Sequence, residues 1–477
     1  MIQRGDVERV ETSTPRTLDE ALAQIAALVE RIAELEAKLE AAQARAQSSS
    51  KNSSRPPSSD PPDLKLGPKR PPSSRKPGGQ PGHRGYRRML LDPEKVTRFE
   101  DHWPKKCEQC KRSLLRGLVT ELEPERHQVI EVPPVSPEVI EHRLHTVVCT
   151  KCTHSTTAAL PPEVARGAFG PRLVALVALM SGSYRMSKRT IVTALWDLFG
   201  VRMSLGAVSG CEQIQSGALA QPVRQALEHV QEQSLVHADE TGWRQRRARA
   251  WLWVAATSAV TVFLIHRRRS GEAARALLGS FRGIVVSDRW SAYLQWPLHQ
   301  RQLCWAHLKR DFQFIAERGP EVAWIGKELL QWTQAVFVLW HQARDGTLSR
   351  AALHCRMEPI RKEIEALLDV GSQSSHAKVA GMCRELFAMQ DGMWTFVRVP
   401  GVEPTNNLAE RSLRHAVLWR KGSFGTHSAR GSWFVERILT VVLSLRQQDR
   451  SVLEYLTAAN EAKLQGTPPP SLIPSPA

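Results

Sequence analysis

The sequence lacks any apolar run long enough to span a bilayer, which takes ~20 residues. Its longest, Trp251 to Ile265, is shorter than that and is interrupted by Thr257, Ser258 and Thr261, so it reads as two strands and no membrane partner is expected. A secretory opening is also missing. Met1 to Val10 carries charges of both signs, with neither an apolar core nor a small-residue cleavage site, and a cytoplasmic protein is expected. Cysteine is scarce: eight in 477 residues make no disulfide framework. Four of the eight fall in Cys-x-x-Cys pairs, which in a reducing compartment point to metal. Acid is in deficit, 48 Asp plus Glu against 65 Lys plus Arg, for a net charge of +17. That balance disfavours a neutral metabolite and favours a polyanion, with nucleic acid as the first candidate.

What is present divides the chain. Leu18, Ala21, Ile25, Leu28, Ile32, Leu35 and Leu39 step by three and four residues with charged flanks, the pattern of a short coiled coil or of one amphipathic helix. A coiled coil over residues 1–46 would make the protein a homo-oligomer. Residues 47–98 turn to Ser, Pro, Gly, Lys and Arg, a basic linker that is either merely solvated or able to slide on phosphates. Cys107-Glu108-Gln109-Cys110 and Cys149-Thr150-Lys151-Cys152 follow. Two such knuckles offer four thiolates to one structural zinc ion, so a zinc ribbon-like domain is expected over 99–158, with strands at Gln128 to Val132 and Val139 to Val148. Residues 165–232 have helical periodicity. Ser187 to Phe199, a break at Gly200 and a second helix capped at Ser204 read either as a DNA-binding helix-turn-helix or as part of a plain bundle.

The chemistry concentrates further on. Ser234 to Asp239 and Gly283 to Asp288 are both short apolar runs ending on an acid. Between them lie the two strands named above and a helix-like Gly271 to Ser280; after them Gln302 to Trp305 can add a fifth strand before a helix near Ala306. That order predicts a ribonuclease-H-like sheet in which the first and fourth strands are neighbours, bringing Asp239 and Asp288 together. Either acid alone could be a turn former or a helix cap. As a pair they suit two hard divalent ions, which take oxygen ligands, and a third acid is then required. Glu410 answers it, in the first turns of a helix that Asn406 or Asn407 can cap; a surface ion pair with Arg414 is the plainer reading. Glu240 should point away from Asp239 on an extended strand.

His237-Ala238-Asp239-Glu240-Thr241, the run from Val286 through Asp288 to Tyr293, Cys304-Trp305-Ala306-His307-Leu308-Lys309-Arg310, and Thr405-Asn406-Asn407-Leu408-Ala409-Glu410-Arg411 together resemble the signature blocks of insertion sequence 66 family transposases. The likeness extends to the zipper, to the Ser-Ser-Lys-Asn-Ser-Ser and Gly-Gly-Gln-Pro-Gly-His blocks, and to the four cysteines. It implies a bacterial DDE transposase acting on double-stranded DNA, at its element's terminal inverted repeats and at a target. Asp239, Asp288 and Glu410 are then catalytic and hold two Mg2+ or Mn2+ ions, in a cytoplasmic, nucleoid-associated enzyme that small accessory proteins of the element can assist. The zinc ligands expected are Cys107, Cys110, Cys149 and Cys152; the basic residues on and after the Glu410 helix, Arg411, Arg414, Arg420 and Lys421, suit a phosphate path; and Cys304 and His307, spaced Cys-x-x-His, are auxiliary, structural or substrate-positioning and not metal ligands. Family members often carry Asp where this chain has Thr405. The fold class expected is multidomain α+β: a coiled coil, a zinc domain and a helical domain, then a ribonuclease-H-like core at 233–318 and 400–436. That core is interrupted by a helical insertion at 319–399 and followed by C-terminal helices at 437–477. Two rivals remain: a transposase-derived DNA-binding regulator, and a nuclease of the same fold that does not transfer strands.

Overall fold

A computed structural model describes residues 17–46, 49, 52, 88–114 and 123–474; the linker blocks other than Ser49 and Asn52 lie outside them. The chain separates into two units. The smaller, Asp63–Val139 with Leu198–Gly200, contains a tight turn at Cys107 to Lys111 and little regular structure. In it the Gln128 side chain accepts from Leu91 N at 2.8 Å and donates to the Leu91 carbonyl at 3.0 Å. The strand expected at Gln128 to Val132 does not form. Val129, Ile130 and Val132 are exposed without a pairing partner among the described residues, and Pro133 and Pro134 follow, which cannot donate to a ladder.

The larger unit opens with α1, Leu18–Ala46. Its Leu18, Ile25, Leu28, Ile32 and Leu35 are all exposed. Of the strand expected at Val139 to Val148 only β1, Thr146–Val148, forms, pairing antiparallel with β2, Ser155–Thr157. Four helices follow: α2, Pro171–Gly182, α3, Lys188–Phe199, α4, Leu205–Ala218, and α5, Ala220–Gln231. Gly200 takes φ +67° after α3, and Ser204 caps α4 by accepting from Ala207 N at 3.1 Å, as its spacing predicts.

The sheet comes next: β3, Leu235–Gln245, β4, Ala248–Ala256, β5, Thr261–His266, then helix α6, Gly271–Leu278, then β6, Ile284–Ser287, and β7, Arg301–Leu303. The strand order is β5-β4-β3-β6-β7. The β3–β4 and β4–β5 pairs are antiparallel, and β3–β6 and β6–β7 parallel. The first and fourth strands are therefore neighbours, the arrangement expected for a ribonuclease-H-like core. Successive residues alternate faces. Trp253 and Ala255 pack on one face with α2, α5 and α6, while Leu252, Val254 and Phe263 face Ala409, Leu413 and Ala416 on the other. Burial on both faces explains why β4 and β5 read as one continuous apolar run.

After β7 come α7, Trp305–Ala316, α8, Pro320–Arg344, α9, Arg350–Ser372, α10, Ala377–Ala388, and the short α11, Thr395–Arg398. They share a core built on Trp305, Phe312, Leu329, Ile364 and Phe396. The chain then returns to the sheet as α12, Asn407–Ser423, and α13, Ala429–Gln447, and ends in α14, Val452–Gln465. Helix α13 runs across the expected boundary at 436/437 because it closes the sheet's β5 edge. Thr261, Phe263 and Ile265 on β5 donate their backbone N–H groups to Ser444 Oγ, Thr440 Oγ1 and Glu436 Oε1, at 3.0, 3.0 and 2.6 Å. Two residues of strand rise ~6.8 Å and four of helix ~6 Å, so the two rows stay in step and the N–H groups of Thr261, Phe263 and Ile265 are not left for another strand to pair with. No helix among the described residues is long and apolar enough to cross a membrane.

Candidate active site

Strand register places the two aspartates. Leu235, Val236 and His237 pair with Ile284, Val285 and Val286, an offset of 284 − 235 = 49. Continued past the ladder, the same offset sets Asp239 level with Asp288, since 288 − 239 = 49, on strands spaced ~4.8 Å apart. Each carboxylate has one oxygen fixed by a nearby backbone N–H, Asp239 Oδ1 by Glu240 at 2.8 Å and Asp288 Oδ1 by Trp290 at 2.9 Å. Behind Asp288 the buried Arg301 donates from Nη2 to its carbonyl at 3.1 Å. Arg289 ties the same loop to Asp311 of α7 and Glu385 of α10, at 2.9 and 2.6 Å.

Helix α12 brings Glu410 to this edge, and Asn406 fixes where the helix starts. Its side chain does not cap the helix. Instead Nδ2 donates to the Ala238 carbonyl at 2.8 Å, Oδ1 lies 3.2 Å from His237 Nδ1, and the backbone N–H donates to Cys304 Sγ at 3.2 Å. One turn on, Glu410 N donates to the Asn406 carbonyl at 3.1 Å. A buried asparagine thus joins β3, the start of α7 and the start of α12. The paired Asn406-Asn407 was the available signal, because a helix cap needs only one.

The electrostatics follow from crowding. Burial, then the negative charges of Glu240 and Asp288, with Glu410 contributing last, hold the Asp239 carboxyl well above the usual carboxylate range. Cys304 and His307 do meet Glu410: their ligand atoms and its carboxylate lie within 4.8 Å of one another, the one such potential metal-ligating group among the described residues. His307 Nδ1 stands 3.6 Å from Glu410 Oε1, and both atoms are buried without a hydrogen-bond partner. Burial pushes the Cys304 thiol up to about 12 and His237 down to about 4, so both are neutral at pH 7.

Glu240 points to the opposite face, as alternation requires: Asp239 is level with Val254 and Glu240 with Trp253, residues of different cores. There it is buried, accepting from Tyr293 Oη at 2.7 Å and Arg269 Nε at 2.7 Å. Arg269 in turn lies over the Trp290 and Trp251 rings, 4.0 and 4.9 Å from their centroids. Of the four basic residues assigned to DNA, Arg411, Arg414 and Lys421 are exposed. Arg420 is different: half-buried, its Nη1 donates to the Gly242 carbonyl and to Thr241 Oγ1. It ties α12 to β3.

The knuckles belong to different units, Cys107 and Cys110 to the smaller and Cys149 and Cys152 to the larger. Each has the same local form. Cys107 N donates to the Arg112 carbonyl and Lys111 N to the Cys107 carbonyl; Cys149 N donates to the His154 carbonyl and Thr153 N to the Cys149 carbonyl. Lys111 and Thr153 take φ 59° and 58°. Backbone N–H groups of Cys110 and Cys152 lower the Cys107 and Cys149 thiols below the usual range, which favours thiolate.

Residues 166–433 match the family model described as "Transposase IS66 family", and residues 9–89 match a family of unknown function, DUF6444. Two similar proteins come from Sinorhizobium fredii (strain NBRC 101917 / NGR234). "Uncharacterized protein y4qI" is 24% identical over 51% of this chain and 50% of its own length. "Uncharacterized protein y4hP" is 24% identical over 72% of this chain and 68% of its own. The chain thus spans about half the length of the first of these relatives.

Proposed function

The chain belongs to the IS66 transposase family, and on that premise we propose that it is a metal-dependent DNA transposase whose reaction centre is Asp239, Asp288 and Glu410. The observation that carries this reading is the matched register of Asp239 and Asp288 beside the Glu410 helix. Hard divalent ions fit the donor set: all oxygen, mutually repelling, with Asp239 forced toward its neutral form and Glu410 Oε1 buried without a partner. Bound there, Mg2+ or Mn2+ would activate the attacking oxygen and offset charge on the leaving oxygen.

The chain's own groups do the rest. Asn406 holds Glu410 against the strand of Asp239, and the half-buried His307 faces Glu410, whose inner oxygen is shut off from solvent. Arg411 and Arg414, one turn apart beside Glu410, and Lys421 further along α12 are exposed to take DNA phosphates. The two knuckles, each preorganised toward thiolate, would hold structural zinc, and the exposed apolar residues of α1 would bring two chains together.

The test uses Asp239→Asn, Asp288→Asn and Glu410→Gln with terminal DNA of the element in Mg2+. Each variant should bind DNA as wild type does and cleave at least ~100-fold more slowly, the order expected when a metal ligand set is broken. Wild-type activity in any of the three removes that residue from the centre. Supplying a DNA end with a free 3′-hydroxyl separates transfer from hydrolysis: joined products mark a transposase, cut products alone a nuclease.

A further inference from the structure

Strand β3 does not stop where its parallel neighbour does. By the offset of 49, Ser287 at the end of β6 is level with Ala238, so Glu240 to Gln245 pair with β4 alone. This two-stranded hairpin overhangs the edge that carries Asp239 and Asp288. Six residues from Asp239 to Gln245 cover ~20 Å. Its tip reads Arg244-Gln245-Arg246-Arg247-Ala248-Arg249, four arginines in six residues, all exposed. No acidic side chain among the described residues forms an ion pair with any of them.

The tip breaks a local folding rule. A two-residue hairpin turn wants glycine or asparagine where φ is positive, yet Arg246 occupies such a position at φ 56°, which costs an L-residue ~1–2 kcal/mol. The turn is nevertheless held firmly. Arg246 N donates to the Thr426 carbonyl at 2.7 Å, Thr426 N to the Arg244 carbonyl at 2.9 Å, and Arg246 Nε to the His427 carbonyl at 3.1 Å. Gly425, at φ +112°, lies so close that a Cβ would stand 2.3 Å from the Arg244 carbonyl oxygen. Helix α12 therefore spans the overhang, starting at Ala238 through Asn406 and ending at Arg244 through Thr426. Its 17 residues rise ~25 Å, enough to cover the ~20 Å of strand from Ala238 to Arg244 beneath. Arg411, Arg414 and Lys421 lie along one exposed stripe of that helix, at i, i+3 and i+10.

From these observations we propose that the β3–β4 hairpin is a DNA-phosphate prong: Arg244, Arg247 and Arg249 grip duplex ~20 Å, or about six base pairs, from the phosphate held at Asp239 and Asp288. The basic stripe of α12 completes the track between them. This rests on the reading of the chain as a DNA-processing enzyme and adds a binding element to it. Arg246, bonded to His427, supports the turn.

The test uses the full chain and a duplex of arbitrary sequence, about three helical turns long, because phosphate contacts do not read sequence. Affinity is measured across a salt series for wild type and for Arg244→Ser/Arg247→Ser/Arg249→Ser. A charge-matched control, Lys327→Ser/Arg356→Ser/Lys362→Ser, removes three exposed cations from α8 and α9. Three lost phosphate contacts should flatten the slope of log K against log salt by ~2–3 and weaken binding ~10–100-fold at moderate salt, with the thermal midpoint unchanged and the control matching wild type. A hairpin variant with the wild-type slope, or a control with the same loss, overturns the prong and leaves the transposase reading intact. Wild type that binds no duplex overturns that reading itself.

Discussion

Asn406 donates its side-chain amide to the main-chain carbonyl of Ala238, the residue immediately before Asp239, and this bond fixes the spacing between the strand and the Glu410 helix. Asn406→Ala leaves a buried carbonyl without its donor, a loss of ~1–3 kcal/mol. Releasing the helix start should lower cleavage ~100-fold through misplacement of Glu410. Thermal unfolding and a cleavage assay read the two effects, and Asn406→Ala with wild-type cleavage would remove the positioning role.

Glu240 adjoins Asp239 in sequence but acts on the other face. Its buried bonds to Tyr293 and Arg269 make Glu240→Gln and Tyr293→Phe stability variants, each expected to lose ~1–3 kcal/mol while Mg2+-dependent cleavage persists at a temperature where both stay folded. Loss of cleavage without loss of stability in Glu240→Gln would place that carboxylate in the reaction centre instead.

Stability should depend on pH through Glu436 of α13. Burial raises its carboxyl to about 7, against the opposing pull of the Ile265 N–H and Arg437. For an acid raised in the folded state, the stabilising contribution is full below its unfolded value near 4.5 and is lost as pH rises through about 7. Glu436→Gln carries no such titration, so its melting temperature should gain on wild type from pH 5 to pH 7.5. A constant difference across that range counts against the buried charge.

The knuckle cysteines should carry zinc. Elemental analysis of the purified protein should find it, and less of it in Cys107→Ser and in Cys149→Ser; wild type free of zinc, or variants that keep the wild-type content, would remove the cysteines as ligands.

Much of the site was legible in the sequence because it rests on local physics. The apolar runs leading to Asp239 and Asp288 do become strands, each paired within the five-stranded sheet, although the first continues past its acid to Gln245. The Ser204 cap and the Glu410 helix follow from side chains within a few residues. Arg420 shows the converse: a basic residue in a basic run gives no sign that its guanidinium turns inward to Gly242. The strands expected between the knuckles failed because apolar alternation alone supplies no partner.

The sequence by itself therefore determined the basic character of the chain, the strands of the main sheet and the helices around it, and where along the chain the three proposed acids fall. Tertiary structure decided how these meet: Asp239 level with Asp288 through a parallel register, Asn406 crossing to Ala238, and the edge of β5 closed by α13. It also turned the arginines of residues 244–249 into the tip of an overhanging hairpin. Each of these depends on groups far apart in the chain, whose contact exists only once the sheet has formed and the chain has returned to it after the helical insertion.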